Sequence, residues 1–155
     1  LIPCVVRHAR VQISPPPLNR TCYHILMTIV IFLQSILTFL AIDAIWISQI
    51  ATPWMKKATP HLMSASPNIY AAIAFYLLYT FTLLALSVVP AITNKIGYLT
   101  LAFQSFLFGL TAYATYDLTN LAVMKGYSPS MAIADMIWGG CLTMVTALII
   151  YKLHS

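Results

Sequence analysis

The chain has 155 residues, of which 61% are hydrophobic and 7% are charged, and its formal net charge is +5. A soluble domain of this length usually carries about 25% charged residues, so the composition excludes a water-facing globular fold and indicates a membrane protein in contact with a lipid bilayer. The eight Lys and Arg residues are scattered between apolar runs. This is typical of membrane-flanking charges and excludes nucleic acid as a partner.

The first 26 residues differ from the rest of the chain. They contain "SPPPLNR" and three arginines, but no apolar run suited to a signal peptide. Met27 is followed directly by the apolar run "TIVIFLQSILTFLAID". We therefore predict that residues 1–26 are a non-native or disordered extension and that residues 27–155 form the membrane domain. A genuine basic N-terminal arm is the alternative.

Four apolar stretches reach the length of about 20 residues that a helix needs to cross a bilayer. They cover about residues 25–50, 69–89, 98–124 and 131–153, and the second is expected to stop at Pro90. Because the connection between the third and fourth stretches is short, those helices must be antiparallel neighbours. The predicted fold is therefore an all-α integral membrane bundle of four transmembrane helices.

Local signals agree with these boundaries. Ser66 and Ser128 each precede a proline, and we predict that both serines are helix N-caps with proline at the first helical position. Gly126 is expected to be left-handed after the third helix. The adjacent glycines in "WGGCLT", Gly139 and Gly140, favour close approach between helices.

The three acidic residues of the chain, Asp43, Asp117 and Asp135, all lie inside apolar segments. Asp43 and Asp117 are near the ends of spans one and three, and Asp135 is near the start of span four. Since consecutive spans run in opposite directions, all three are expected towards the same leaflet. An ionised carboxylate in hydrocarbon costs about 2.5–3.5 kcal/mol, so these residues should face the bundle interior.

Polar and aromatic residues accompany the acids at helical spacing. Tyr113, Tyr116, Asp117 and Asn120 form one stripe of span three. The candidate residues for ligand or ion binding are Asp43, Asp117, Asp135, Tyr113, Tyr116, Asn120, Trp46, Trp138 and Tyr76. No metal site is assigned, and the three aspartates would be metal ligands only if a cation binds.

Structural roles are the alternative for several of these side chains. Trp46 and Trp138 could belong to the interfacial aromatic belt, which we also predict for Tyr70 and Tyr127. Asn120 could serve only as a hydrogen-bonding link between helices.

The motifs "DAIW", "FYLLY", "YATYDLTNLA", "KGYS" and "DMIWGG" occur in this order. In these motifs the chain resembles a family of bacterial predicted membrane proteins, domain of unknown function 2177, from about Met27 to His154. The resemblance implies a four-span protein of the bacterial inner membrane. It implies no activity, because the family has none that can be carried over.

Three functions therefore remain open. The first is a transporter-like protein that binds a proton, a cation or a small ligand at the aspartates; transport would require a homodimer, because four helices enclose little volume. The second is a membrane enzyme that acts on a lipid or isoprenoid headgroup. The third is a structural or assembly subunit. The sequence identifies neither a cofactor nor a substrate.

Overall fold

The described part of the chain consists of helices and short connections. The computed structural model describes residues 17–64 and 66–155, and no strand occurs among them. The α-helices are α1 (Pro17–Trp46), α2 (Thr52–Ala58), α3 (Ile69–Leu83), α4 (Val89–Asn94), α5 (Tyr98–Val123) and α6 (Pro129–His154). A 3₁₀ turn, Pro60–Leu62, follows α2. The all-α fold class predicted from the sequence is confirmed.

Two π-helical turns join shorter helices into longer segments. The turn Ile47–Ala51 continues α1 into α2, and the turn Leu84–Val88 continues α3 into α4. The bundle therefore has four long helical segments. Three of them are long and apolar enough to cross a membrane: Ile25–Ala58, Ile69–Asn94 and Pro129–His154.

The helix α5 corresponds to the third predicted span but is less apolar than the other three. Its 26 residues would extend about 39 Å, which is enough to cross a bilayer. It is not one of the three described segments that are long and apolar enough to cross a membrane, and its apolar run is interrupted by Gln104, Asp117 and Asn120. Two of these, Asp117 and Asn120, are buried inside the bundle.

The prediction that the second helix stops at Pro90 is wrong. The helix passes through Pro90 and ends at Asn94, and the first one passes through Pro53 and ends at Ala58. A proline inside a helix removes one backbone hydrogen bond and clashes with the carbonyl four residues earlier. In both cases a π-helical turn covers that earlier position, and its wider backbone accommodates the proline.

The helix ends confirm two local predictions and contradict a third. Ser128 caps α6 by accepting a hydrogen bond from the Met131 amide, and Gly126 has a φ of 80°. The predicted cap at Ser66 is wrong, because Asn68 caps α3 with a side chain that accepts from the amides of Tyr70 and Ala71. An Asn side chain next to the first helical residue reaches those amides directly.

The predicted N-terminal extension falls partly outside the described residues. Residues 1–16 lie there, whereas residues 17–26 form the first turns of α1. The prediction that the membrane domain begins at Met27 stays a prediction.

The helix α6 lies at the centre of the bundle and contacts α1, α4 and α5. The closest pairing is with α5, where a Cβ atom on Gly109 would overlap the Gly139 carbonyl oxygen and the Thr143 side chain. A Cβ atom on Gly139 would in turn overlap the ring of Tyr113. The close approach predicted from the paired glycines is confirmed. Large apolar side chains such as Leu78 and Leu99 are exposed on the outside, which suits contact with lipid.

Candidate functional site

Two aspartate–tryptophan pairs connect α1 to α6 reciprocally. The indole nitrogen of Trp46 donates to Oδ1 of Asp135 over 3.0 Å, and the indole nitrogen of Trp138 donates to Oδ1 of Asp43 over 3.1 Å. The two indole rings stack with centroids 4.7 Å apart and planes 7° from parallel. Each tryptophan lies three residues after the aspartate of its own helix, so the similar sequences "DAIW" and "DMIW" exchange partners across the interface.

The carboxylates of Asp43 and Asp135 differ in how many of their oxygens accept a hydrogen bond from the described chain. Asp43 accepts a second hydrogen bond at Oδ2, from the Tyr76 hydroxyl over 2.8 Å, and it is buried. Asp135 is less buried, and its only hydrogen bond to the described chain is the one from Trp46. The Asp135 carboxylate therefore keeps one oxygen for another partner.

A cavity of about 360 Å³ lies beside these carboxylates. All four long helical segments contribute to its wall, which is lined by Asp43, Ile47, Ala72, Phe75, Tyr76, Tyr79, Ala112, Tyr113, Tyr116 and Asp135. Its volume is within the range of about 300–1,000 Å³ that is usual for small-molecule sites. The lining is mostly apolar and aromatic, with two carboxylates.

The inner wall of the cavity is held by contacts with α6. The hydroxyls of Tyr79 and Thr143 are 2.6 Å apart, and Thr143 donates to the Gly139 carbonyl over 2.6 Å. The ring of Tyr113 rests on Gly139 and lies edge-on to Tyr79, with centroids 6.2 Å apart. The absence of a side chain at Gly139 is therefore what allows Tyr113 to reach the cavity wall.

Asp117 occupies a separate position beneath the turn between α5 and α6. Its Oδ1 accepts from the Tyr127 hydroxyl over 2.7 Å, while its Oδ2 is buried without a partner in the described chain. The side chain is completely buried, with 0% exposure. Burial, followed by the hydrogen bond and the charge of Asp117, raises the pKa of Tyr127 above its ordinary value, so this phenol stays a neutral donor.

The structure thus brings together most of the residues that the sequence proposed, in two groups. Asp43, Asp135, Trp46, Trp138, Tyr76, Tyr113 and Tyr116 lie at the cavity or in its hydrogen-bonded wall. Asp117 and Asn120 do not line this cavity. Within the described residues no three His, Cys, Asp or Glu side chains are placed to hold a metal ion.

Three contributors, Phe75, Tyr79 and Tyr127, were not among the predicted binding residues. Phe75 and Tyr79 line the cavity, and both belong to the motif "FYLLY". Tyr127 was assigned to the aromatic belt, although it binds Asp117. Its position in "KGYS" could not reveal this, because the bond depends on how the turn folds back over α5.

The fold and the site define a polytopic membrane protein with carboxylates and aromatic rings in its interior. The model of the predicted membrane protein family called domain of unknown function 2177 matches residues 28–152. The chain therefore belongs to that family. No curated protein and no solved structure is similar to it at a significant level.

Proposed function

We propose that this membrane protein binds a small organic cation in the cavity lined by Asp43 and Asp135. The observation that carries the proposal is the convergence of two carboxylates and five aromatic side chains from all four helical segments on one space of about 360 Å³. The aromatic side chains are Phe75, Tyr76, Tyr79, Tyr113 and Tyr116. Aromatic faces attract cations through the ring quadrupole, and a carboxylate supplies the matching charge.

The hydrogen-bond partners of the aspartates favour a cation over an anion or a neutral ligand. Within the described chain these partners are neutral groups, the indoles of Trp46 and Trp138 and the hydroxyls of Tyr76 and Tyr127. None of them supplies a positive charge. A bound cation would offset the cost of holding a carboxylate inside a membrane protein, and Asp135 has an oxygen available for it.

Binding can be measured by tryptophan fluorescence of the full chain in detergent or lipid nanodiscs. The chain has three tryptophans, so a Trp54→Phe background leaves only the stacked pair Trp46 and Trp138 as reporters. The probes are choline and 3,3-dimethyl-1-butanol, its neutral analogue of the same shape. We expect choline to change the emission in a saturable way and the alcohol to leave it unchanged.

Two variants complete the design. Asp135→Asn should raise the dissociation constant for choline by about 10-fold or more, because it removes the Coulomb attraction between the carboxylate and the quaternary ammonium, which contributes about 1–4 kcal/mol at a separation of about 4 Å. Tyr70→Phe removes a hydroxyl from an 82% exposed side chain outside the cavity and should leave binding unchanged. Equal binding of choline and the alcohol, or full choline affinity in Asp135→Asn, would contradict the proposal.

The proposal extends from binding the cation to transporting it across the membrane. Carriage of the cation across the bacterial inner membrane would require a second copy of the chain to complete a path. Uptake of labelled choline into vesicles containing the protein, lost in Asp135→Asn, would support it. Binding without uptake would limit the function to ligand binding.

One observation favours an assembly role as the second candidate. Both oxygens of Asp43 are paired inside the bundle, which is what a purely structural carboxylate requires. In that case Asp135→Asn should reduce stability as much as Asp43→Asn does, and no cation should protect the wild-type protein from heat. The enzyme hypothesis gains no comparable support from the residues around the cavity.

A further inference from the structure

Asp117 and Asn120 are two buried polar side chains that the cation site does not use. They lie three residues apart on α5, and their exposed fractions are 0% and 9%. Oδ2 of Asp117 and the amide nitrogen of Asn120 have no hydrogen-bond partner within the described residues. One is an acceptor and the other a donor, and each unpaired buried group costs about 1–3 kcal/mol.

The turn between α5 and α6 covers this position on the loop side. The Tyr127 hydroxyl donates to Oδ1 of Asp117 over 2.7 Å. The Asn120 side chain is close enough to interact with Tyr127, but its amide nitrogen makes no hydrogen bond to that hydroxyl. His61, from the 3₁₀ turn between α2 and α3, packs against Gly126 beside Tyr127. The Nε2 atom of His61 is 3.5 Å from the Lys125 carbonyl oxygen. Asp117 is six residues before the end of α5, or about 9 Å along the helix axis.

We propose that Asp117 is a proton-binding site, distinct from the cation cavity, which exchanges its proton with the loop side through one water molecule held between its Oδ2 and the Asn120 amide. A water molecule can donate to the carboxylate and accept from the amide at the same time, so it satisfies both unpaired groups. On exchange the carboxylate receives, through this water molecule, a proton from a hydronium ion at the loop face; the carboxylate becomes a neutral carboxylic acid and the hydronium ion becomes water. On release the proton returns to that water.

Three titratable groups lie near Asp117, on the turn, on α5 and on α6. Tyr127, on the turn, remains a neutral donor because burial and Asp117 itself raise its pKa. Tyr116, on α5, interacts with Tyr127. On α6, Asp135 is close enough to interact electrostatically with both Asp117 and Asp43. A proton on Asp117 would therefore weaken the repulsion felt by Asp135, which links the two positions.

Infrared difference spectroscopy between acid and alkaline pH tests the proposal without any ligand. The sample is the full chain in lipid nanodiscs, in water and in deuterium oxide. We expect a carbonyl band of a protonated carboxylic acid that disappears at alkaline pH, shifts on deuteration, is retained in Asp43→Asn and is lost in Asp117→Asn. A wild-type protein without a titrating carboxyl band, or a band that survives in Asp117→Asn, overturns the proposal.

A second variant keeps the test decisive if Asp117→Asn does not fold. Tyr127→Phe removes the donor to Oδ1, so the band should shift in frequency, whereas the matched variant Tyr70→Phe should leave it unchanged. An unchanged band in Tyr127→Phe, or the same shift in both variants, overturns the assignment to Asp117. Because the readout needs no choline, failure of the cation proposal does not affect it.

Discussion

Asp43 and Asp117 are both buried carboxylates inside the same bundle, yet their surroundings are opposite. Asp43 has one neutral donor on each oxygen, from Trp138 and Tyr76. Asp117 has one donor in total, from Tyr127, and its second oxygen is unpaired in the described chain. The two side chains are therefore similarly buried but accept different numbers of hydrogen bonds. A fully paired carboxylate fixes its neighbours, whereas a partly paired one retains the capacity to bind a proton or water.

The largest expected effect comes from removing the paired carboxylate. Asp43→Ala leaves the Trp138 indole nitrogen and the Tyr76 hydroxyl without acceptors, which should reduce the free energy of unfolding by about 2–6 kcal/mol, at about 1–3 kcal/mol for each group. Asp43→Asn retains one acceptor and should lose about half as much. Reversible denaturation in detergent measures both values. Wild-type stability in Asp43→Ala would remove the distinction between the two carboxylates.

A smaller effect is expected at the glycine that supports the cavity wall. Gly139→Ala places a methyl group in the ring of Tyr113 and should cost about 1–3 kcal/mol through overpacking. It should disturb cation binding while leaving the Asp117 infrared band in place. Ala74→Val, at an exposed position of α3, is the control for added apolar bulk. Equal effects of the two substitutions would show that the α5–α6 contact does not position Tyr113.

Asp117→Asn should change stability least among these substitutions. The asparagine oxygen can still accept from Tyr127, and the charge is removed, so we expect the free energy of unfolding to equal the wild-type value or exceed it by about 1 kcal/mol. The measurement is thermal unfolding in detergent across pH, beside Asp43→Asn. Strong destabilisation of Asp117→Asn under every condition would make Asp117 a structural partner like Asp43.

The smallest effect is expected for Tyr127, the donor to Asp117, whose removal should not change the phenolate absorbance of the native protein. Because the pKa of Tyr127 is raised, its stabilising contribution is complete below the ordinary tyrosine pKa of about 10 and is lost only as the pH rises through the higher folded value. Tyr127→Phe should therefore not reduce the phenolate absorbance that develops near pH ~10. In denaturant the same substitution should reduce it by one tyrosine. A reduction in the native protein would contradict the buried contact.

Much of the fold could be predicted from hydropathy and connectivity. The third and fourth helices begin and end within two residues of their predicted limits, whereas the first continues to Ala58, beyond the predicted end at about residue 50. The left-handed Gly126 and the Ser128 cap follow from local backbone chemistry. The helix through Pro90 could not be predicted, because proline usually ends a helix and a π-helical turn has no clear sequence signal. Ser66 and Asn68 are both residue types that cap helices, and only the backbone geometry determines that Asn68 is the cap of α3.

The sequence predicted most of the residues of the candidate site but not the hydrogen bonds between them. Asp43 and Asp135 were expected at one leaflet, because the sequence fixes how far each residue lies from its helix end. The exchange of partners between "DAIW" and "DMIW" depends on the rotation of α1 and α6 about their own axes, which helical spacing leaves free. Asp117 was predicted as a candidate binding residue together with Asp43 and Asp135, whereas only the other two aspartates line the cavity.

The sequence by itself determined that this is a helical membrane protein and that its three acids lie inside apolar segments, because hydrophobicity and a rise of about 1.5 Å per residue act locally along the chain. The tertiary structure decided which donor each carboxylate receives. A hydrogen bond requires two atoms to be placed within about 3 Å, and that placement follows from the contact of α5 with α6 at Gly109 and Gly139 and from the turn that carries Tyr127. These contacts join residues that are far apart in the sequence. As a result, both oxygens of Asp43 accept hydrogen bonds, whereas Oδ2 of Asp117 has no partner in the described chain.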